Sequence, residues 1–511
     1  MNRISLTLVT SLSLMTSVVQ GAELEVGADK TFPTVQAAVD AAVAGDTILV
    51  HDGAYPEDVD LDGDGSTSAR RTLRPAPGAQ PVITGEMTID GSFWDVVDLT
   101  LVARPGRRGI RLRGHDNRIL GVDLSGGNRN GIDGGGLRNE VRGCHIHDFD
   151  AGDQDAHCIV LNPGAEGWII SDNDIHDCSG DCLQLFSDGV ERSIRNLLVE
   201  GNEMYFTGAL GRTENAVDVK NGDGLVFRRN RMYGFPDNKV VVFQKGPANI
   251  EMDCNEMSAG FNGVEFRGED GGTVEGVVFT RNLVRDFTGY ALKFDGTNDA
   301  VVYHNTFVAI DNDGLRIEGA GLGTGSVRNN LWVDTGRVEA GGFDASHNGF
   351  FNAETDIGSV DDVVADPQFD TMFFLGPGSP MIDAGVDVGL PFAGGQPDLG
   401  WHEVGGTGCD VPDGGPGGSG GTGGGGGASN PAQGGAGGNS EGPTGRADAH
   451  DGDRDDAVRG CGCRQPRQDA PSPGAPAILA VLGLGVAGRR RARRCAPGLG
   501  HGASRSVVSS S

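Results

Sequence analysis

An asparagine recurs through the middle of this chain at a nearly constant interval, and the same local pattern surrounds it each time. The series is Asn173, Asn202, Asn230, Asn255, Asn282, Asn305 and Asn330, with steps of 29, 28, 25, 27, 23 and 25 residues. An apolar residue stands three before each Asn and another two after it, as in Ile170 and Ile175 or Phe279 and Val284. One coil of a parallel β-helix has about this length. A bend between strands leaves backbone groups that a parallel ladder does not pair, and an Asn amide supplies both donors and an acceptor. Stacked at the strand spacing of about 4.8 Å, successive amides bond one another and the bend. The register therefore predicts an all-β solenoid of about ten coils in which each coil touches only its neighbours. Cys144 and Val122 take the Asn position in earlier, more degenerate coils.

A second strand repeats in the same coils: Cys158–Leu161, Cys182–Leu185, Ala216–Val219, Val240–Phe243, Gly263–Phe266, Ala291–Phe294 and Gly314–Ile317. Its residues alternate with period two. Val217 and Val219, Val264 and Phe266, Leu292 and Phe294, and Leu315 and Ile317 point inward. Asp218 and Lys220, Glu265 and Arg267, Lys293 and Asp295, and Arg316 and Glu318 point outward. The outward set makes one charged sheet face.

The ends agree with this architecture. Phe32 to Val39 reads as a short amphipathic helix, followed by Gly45 to Val50 and by Gly53-Ala54-Tyr55. Asp366-Pro367-Gln368-Phe369, Ser379 to Gly385 and Pro397 to Glu403 form a closing segment. Together these stretches resemble the first coil and the end caps of the pectate-lyase-like superfamily of bacterial β-helix proteins. The resemblance implies a single-stranded right-handed parallel β-helix over residues 22–403, capped by a short N-terminal helix. Such caps cover open strand edges that otherwise recruit other chains, and we expect a monomer.

Residues 1–21 read as a signal peptide, with Arg3 ahead of the apolar run Ile4 to Val19 and small residues near Gly21. Residues 404–460 are a Gly-rich, then acidic, disordered linker that has too few apolar groups for a core. In residues 461–495 a Cys461-Gly462-Cys463 motif, an apolar run from Ala475 to Gly488 and an arginine cluster follow in order. That order resembles the C-terminal sorting tag of myxobacterial surface proteins. It implies a secreted chain anchored at the cell surface or outer membrane, meeting membrane only through this segment. Residues 496–511 are a disordered tail. Nine cysteines are compatible with disulfides in an exported chain, and their connectivity stays open. The formal net charge of −30 argues against a nucleic-acid partner, which needs a basic surface.

Chemistry concentrates in three consecutive coils. Asp153, Asp155, Asp177, Asp181, Glu214 and Asp218 can converge on one side of the stack, and several hard carboxylate oxygens suit Ca²⁺. Asp218 and Lys220, two apart on one strand, share a face and are the candidate catalytic pair. A lyase acting on a uronate polysaccharide removes the proton α to a carboxylate, with a cation neutralising that carboxylate. A lysine whose pKa is lowered by neighbouring positive charge then accepts the proton. The layout resembles the calcium-plus-base arrangement of β-helix pectate lyases. Arg212, Lys245, Arg267 and Lys293 are candidate binders of substrate carboxylates. The partner is then an acidic or neutral polysaccharide. Two other readings stand beside the lyase. One is a glycoside hydrolase using Asp181 and Asp218, if their carboxyls are about 5–5.5 Å or 6.5–9.5 Å apart. The other is a non-catalytic adhesin that binds glycan.

Overall fold

The computed structural model describes residues 21–406 and Cys409, apart from 188, 190, 191, 271 and 319–323. The leader, nearly all of the linker, the sorting segment and the tail lie outside the described residues.

Every pairing between the named strands is parallel, and the chain winds through three ladders per coil. The first ladder holds fourteen strands, from Glu23–Val26 to Asp344–Ser346. The second runs through the strands that follow each corner Asn, such as Asp174–Cys178, Glu203–Tyr205 and Arg231–Tyr233. The third runs through Ile159–Leu161, Leu183–Leu185, Val217–Val219, Lys239–Gln244, Asn262–Arg267 and Leu292–Asp295. The second and third merge only near the C-terminal end, where Thr306–Glu318, Leu331–Val338 and Gly349–Thr355 run straight through the corner.

The solenoid has about 13 turns rather than ten. The additional coils fall at both ends: in the N-terminal part, where the repeat shortens to 22 or 23 residues, and at the C-terminal coil of Asn348. Val122 and Cys144 take the corner that Asn173 occupies later, as the sequence indicated, and one coil earlier Leu99 stands there without the Asn marker.

The Asn ladder forms as the repeat requires. The Asn202 Oδ1 accepts from the Asn173 backbone N–H at 3.1 Å and from its Nδ2 at 2.8 Å, and the pattern continues to Asn330. It extends one step further, to Asn348, which sequence reading missed because its interval is only 18 residues. Each Nδ2 also reaches back to a carbonyl of the first ladder, as Asn202 does to Ile170 at 2.9 Å. The residue before each Asn takes a left-handed φ, between 51° and 60° at Asp172, Arg229, Cys254, Arg281, His304, Asn329 and His347. That conformation costs a non-Gly residue roughly 1–2 kcal/mol. Removing an amide would leave a buried N–H unpaired at about 1–3 kcal/mol, so the ladder holds the bend.

Side chains stack with the coils. The Phe243, Phe266 and Phe294 rings stack face to face at 4.8 and 5.1 Å, and Phe307, Trp332 and Phe350 at 5.3 Å each. These separations reflect the spacing between parallel strands. At the N-terminal end the helix Val35–Ala41, capped by Thr34, buries Val35, Ala38 and Val39 over the first coils. It starts three residues later than Phe32 because Thr34 Oγ1 accepts from the Ala37 N–H. At the other end Met381, Leu399 and Trp401 close the core. Disulfides join Cys158 to Cys178 and Cys254 to Cys409, while Cys144 and Cys182 are buried thiols.

Candidate active site

The third ladder builds the site. Its strands bury Val217, Val219, Val264, Phe266, Leu292, Phe294 and Leu315 completely, so the intervening residues face out. Register aligns Asp133, Val160, Gln184, Asp218, Val242, Glu265, Lys293 and Arg316 in one outward row. Backbone bonds from Cys158 to the Asp181 carbonyl and from Cys182 to the Asn215 carbonyl align His157, Asp181 and Asn215 two positions ahead of the strands.

Asp181 is the hub. It is fully buried, and its Oδ1 accepts from the Asn215 N–H at 3.0 Å and from Asn215 Nδ2 at 2.8 Å. Its Oδ2 accepts from Gln184 Nε2 at 3.0 Å and lies 3.1 Å from His157 Nδ1. Burial favours the neutral acid, but His157, Asn215 and the Lys220 charge outweigh it and hold Asp181 below the usual carboxylate range. His157 is also buried, which disfavours its charge. The Asp181 carboxylate, with Asp155 and Glu214 beyond it, nevertheless raises the imidazole above its ordinary value. The Asp181 N–H donates to the same Nδ1 at 2.8 Å. In the neutral ring Nδ1 accepts that bond; in the cation it donates to Oδ2. Either way Asp181 engages Nδ1 and leaves Nε2 as the proton-bearing nitrogen.

Glu214 lies beside this pair. One donor atom from each of His157, Asp181 and Glu214 falls within 4.8 Å of the others. Burial, then the negative Asp181 and Asp155, pushes the Glu214 carboxyl up to about 7. Arg212 Nη2 reaches both Glu214 Oε1 at 2.9 Å and Asp155 Oδ1 at 2.8 Å. One strand along, Lys220 Nζ pairs with Asp218 Oδ2 at 3.1 Å, and Gln244 Nε2 donates to Asp218 Oδ1 at 2.6 Å. Burial and the nearby Asp181 raise the Asp218 pKa although Lys220 opposes them.

A cleft of about 330 Å³ opens against this cluster, lined by Arg108, Arg129, Asp155, His157, Gln184 and Phe186 among others. The Phe186 ring is 42% exposed, a flat apolar surface of the kind a sugar ring can stack upon. A larger cleft of about 650 Å³ lies near the N-terminal end against the Pro-rich loop Pro75 to Pro81. It holds no comparable cluster of coupled acids.

The residues expected from the sequence separate into groups. Asp155, Asp181, Glu214, Asp218, Lys220 and Arg212 come together. Asp177 does not: it accepts from the Thr207 N–H, Thr207 Oγ1 and His176 Nδ1, on the second ladder. Asp153 enters through its backbone carbonyl, which accepts from Arg212. Lys245 pairs with Asp270 at 3.0 Å. Arg267 and Lys293 gather with Lys239 around the buried Glu265. Lys220 also departs from expectation. Its neighbours are carboxylates, so although burial works against the charge, Asp218, Asp181 and Glu214 raise its pKa. It is an ammonium at neutral pH, not a ready base. His157, Gln184, Asn215 and Gln244 carried no assigned role in the sequence. The signal for His157 was its register: it stands one residue before Cys158, as Asp181 stands before Cys182.

The six expected carboxylates do not make one calcium shell. Asp177 belongs to another face, Asp218 is held by Lys220 and Gln244, and Arg212 bridges Asp155 and Glu214. A hard ion taking six to eight oxygens would have to displace two resident cations.

Residues 88–231 and 206–356 match the family described as right handed beta helix region. Together they span more than half of the chain. No curated protein matches. Several solved structures are similar. Pectate lyase Pel9A is 14% identical with a TM-score of 0.41, covering 76% of this chain and 97% of that one. A mannuronic acid specific polysaccharide family 6 lyase from human gut microbiota is 14% identical, TM-score 0.44, covering 66% and 88%. A GH136 lacto-N-biosidase from Eubacterium ramulus is 13% identical, TM-score 0.46, covering 59% and 67%. At these identities and scores the likenesses carry no argument about activity. By its matched coils and by the three parallel ladders that they build, the chain belongs to the right-handed β-helix family.

Proposed function

We propose that this chain cleaves a uronate-containing polysaccharide by β-elimination on the outward face of the third ladder, with acid–base groups supplied by the protein. The observation that carries the reading is Glu214: a carboxyl held near pH 7 with a donor atom within 4.8 Å of His157, whose ring lines an open cleft, and of Asp181. A base works best when its pKa lies near the operating pH. In this scheme the Glu214 carboxylate takes the proton α to the uronate carboxyl. The bond to the leaving glycosidic oxygen breaks as the double bond forms, and His157 Nε2 delivers a proton to that oxygen. Asp181 orients His157 through Nδ1. The Lys220 ammonium faces the substrate carboxylate and stabilises the charge that develops on it. No step is routed through calcium.

The hydrolase alternative loses its expected pair. Asp181 is fully buried with both oxygens engaged, and Asp218 is buried and held by Lys220 and Gln244. We further read the chain as exported and surface-anchored, a compartment in which two disulfides persist.

The test is incubation of the full chain with pectate, alginate and glycosaminoglycans, with Ca²⁺ and with chelator, following the absorbance of unsaturated product. Product that forms in chelator supports the scheme. New reducing ends without unsaturation point to hydrolysis, and glycan retention without turnover to a binding protein. Either outcome contradicts the lyase.

A further inference from the structure

The second ladder carries a separate cluster that this reaction does not use. Register places His147, His176, Tyr205 and Tyr233 in one row, and His145 two residues ahead of His147 on the same outward face. One nitrogen from each of His145, His147 and His176 lies within 4.8 Å of the others. The Nε2 atoms of His145 and His176 are 2.9 Å apart. Each of two rings has its own carboxylate behind it: Asp148 Oδ2 is 2.8 Å from His147 Nδ1, and Asp177 Oδ2 is 2.9 Å from His176 Nδ1. Both aspartates directly follow their histidine and take a left-handed φ, 59° and 51°, so the chain bends the carboxylate back onto the ring. Thr207 fixes Asp177 from the far side through its N–H and hydroxyl. A carboxylate on Nδ1 selects the tautomer whose Nε2 lone pair can coordinate; His147 Nε2 also lies 3.2 Å from Asp123 Oδ1, a contact that the ion would replace or share. The Tyr205 ring stacks on His176 at 4.7 Å and walls one side. The three histidines are only partly buried, which leaves an ion a way in.

We propose that His145, His147 and His176 bind a divalent transition-metal ion, Zn²⁺ or Cu²⁺, with Asp148 and Asp177 as the carboxylates that orient the ligands. Three imidazoles and an open fourth position suit such an ion and not Ca²⁺, which takes oxygen ligands. Metal–nitrogen bonds of about 2.0–2.1 Å place tetrahedral ligands about 3.4 Å apart. The 2.9 Å pair therefore opens slightly and the third ring closes in. Binding needs the proton that His145 Nε2 places toward His176 Nε2 to move through solvent to His145 Nδ1, a tautomer shift with no net proton release, so that both Nε2 lone pairs face the ion. The site stands on a different ladder from Glu214 and does not depend on the proposed reaction.

The experiment uses the full chain, made without a histidine tag and with accessible thiols alkylated so that Cys461, Cys463 and Cys495 do not compete. Zn²⁺ is titrated by calorimetry after chelator treatment, and Cu²⁺ is followed by electron paramagnetic resonance. The expected result is one tight site with nitrogen hyperfine structure. It should be lost in a triple His145→Gln, His147→Gln, His176→Gln variant and kept in His157→Ala. Asp148→Asn, which leaves the ring ligands in place, should weaken binding about 10–100-fold. This variant also decides the matter if the triple variant loses its far-UV dichroism. Unchanged binding in a folded triple variant, equal affinity in Asp148→Asn, or loss in His157→Ala would overturn the proposal.

Discussion

Asp218 and Glu265 occupy the same outward row of the third ladder, with one residue of the row, Val242, between them. Both are buried, at 4% and 3% exposure. Their pKa values nevertheless move in opposite directions. Glu265 has three cations around it, Lys239, Lys293 and Arg267, and despite burial they hold it below the ordinary carboxylate range. Asp218 has one cation, Lys220, and shares its surroundings with Asp181, so burial and repulsion raise it. The same backbone position thus yields a neutralised cluster in one coil and an under-neutralised one two coils earlier. Burial alone does not mark a reactive carboxylate; the count of charges around it does. Glu214, on the under-neutralised side, inherits the surplus and is pushed to about 7.

The largest expected contrast is in turnover. Glu214→Gln removes the proposed base and should slow product formation about 10²–10⁴-fold. Glu265→Gln, in the neutralised cluster, should change the rate less than about tenfold, because larger losses require removing a group that transfers a proton in the reaction. Equal losses in the two variants, measured as initial rates of unsaturated product, would erase the distinction.

Stability against pH should divide the clusters next. Glu214 has a folded pKa raised from 4.5 to about 7. The folded state therefore binds more protons than the unfolded chain across that window. Its contribution is present below about 4.5 and is lost as pH rises to about 7, by roughly 2–3 kcal/mol. Urea titrations at pH 5 and pH 7.5 should show wild type losing that stability relative to Glu214→Gln. Glu265 has the opposite sign. Its folded pKa is lowered, so its contribution is present above its unfolded value and disappears as pH falls through the folded one.

At fixed pH 7, Glu265→Gln leaves three partly buried cations without their common partner and should cost about 1–3 kcal/mol by chemical denaturation. Asp218→Asn should cost the least, within about 1 kcal/mol. It loses the Lys220 pair but also loses the repulsion with Asp181. A larger cost for Asp218→Asn than for Glu265→Gln would reverse the assignment of which cluster is under-neutralised.

Much of this was legible in the sequence, and what was not has a physical reason. The Asn register read correctly because a buried amide at a solenoid corner tolerates few replacements. It reached back through the degenerate corners Cys144 and Val122 but failed before them, where Leu99 fills the corner with an apolar group, and for Asn348, whose coil is shortened to 18 residues. Period-two alternation on the third ladder placed Asp218 and Lys220 outward. It carried no information on which cation meets which carboxylate, so the Lys220 pKa was expected to fall and instead rises. Asp177 is grouped with Asp181 in the sequence because stacked coils can bring neighbouring carboxylates to one side. A corner and the Cys178 disulfide lie between, and they put the two carboxylates on different ladders.

The most direct measurement is the titration of Glu214 itself. Side-chain carboxyl ¹³C shifts of glutamate-labelled protein, assigned by the resonance missing in Glu214→Gln, should show one carboxyl titrating near pH 7. If the resonance assigned to Glu214 instead titrates near the ordinary value of about 4.3, the crowding of Asp181, Asp155 and Glu214 does not create a base and the account fails.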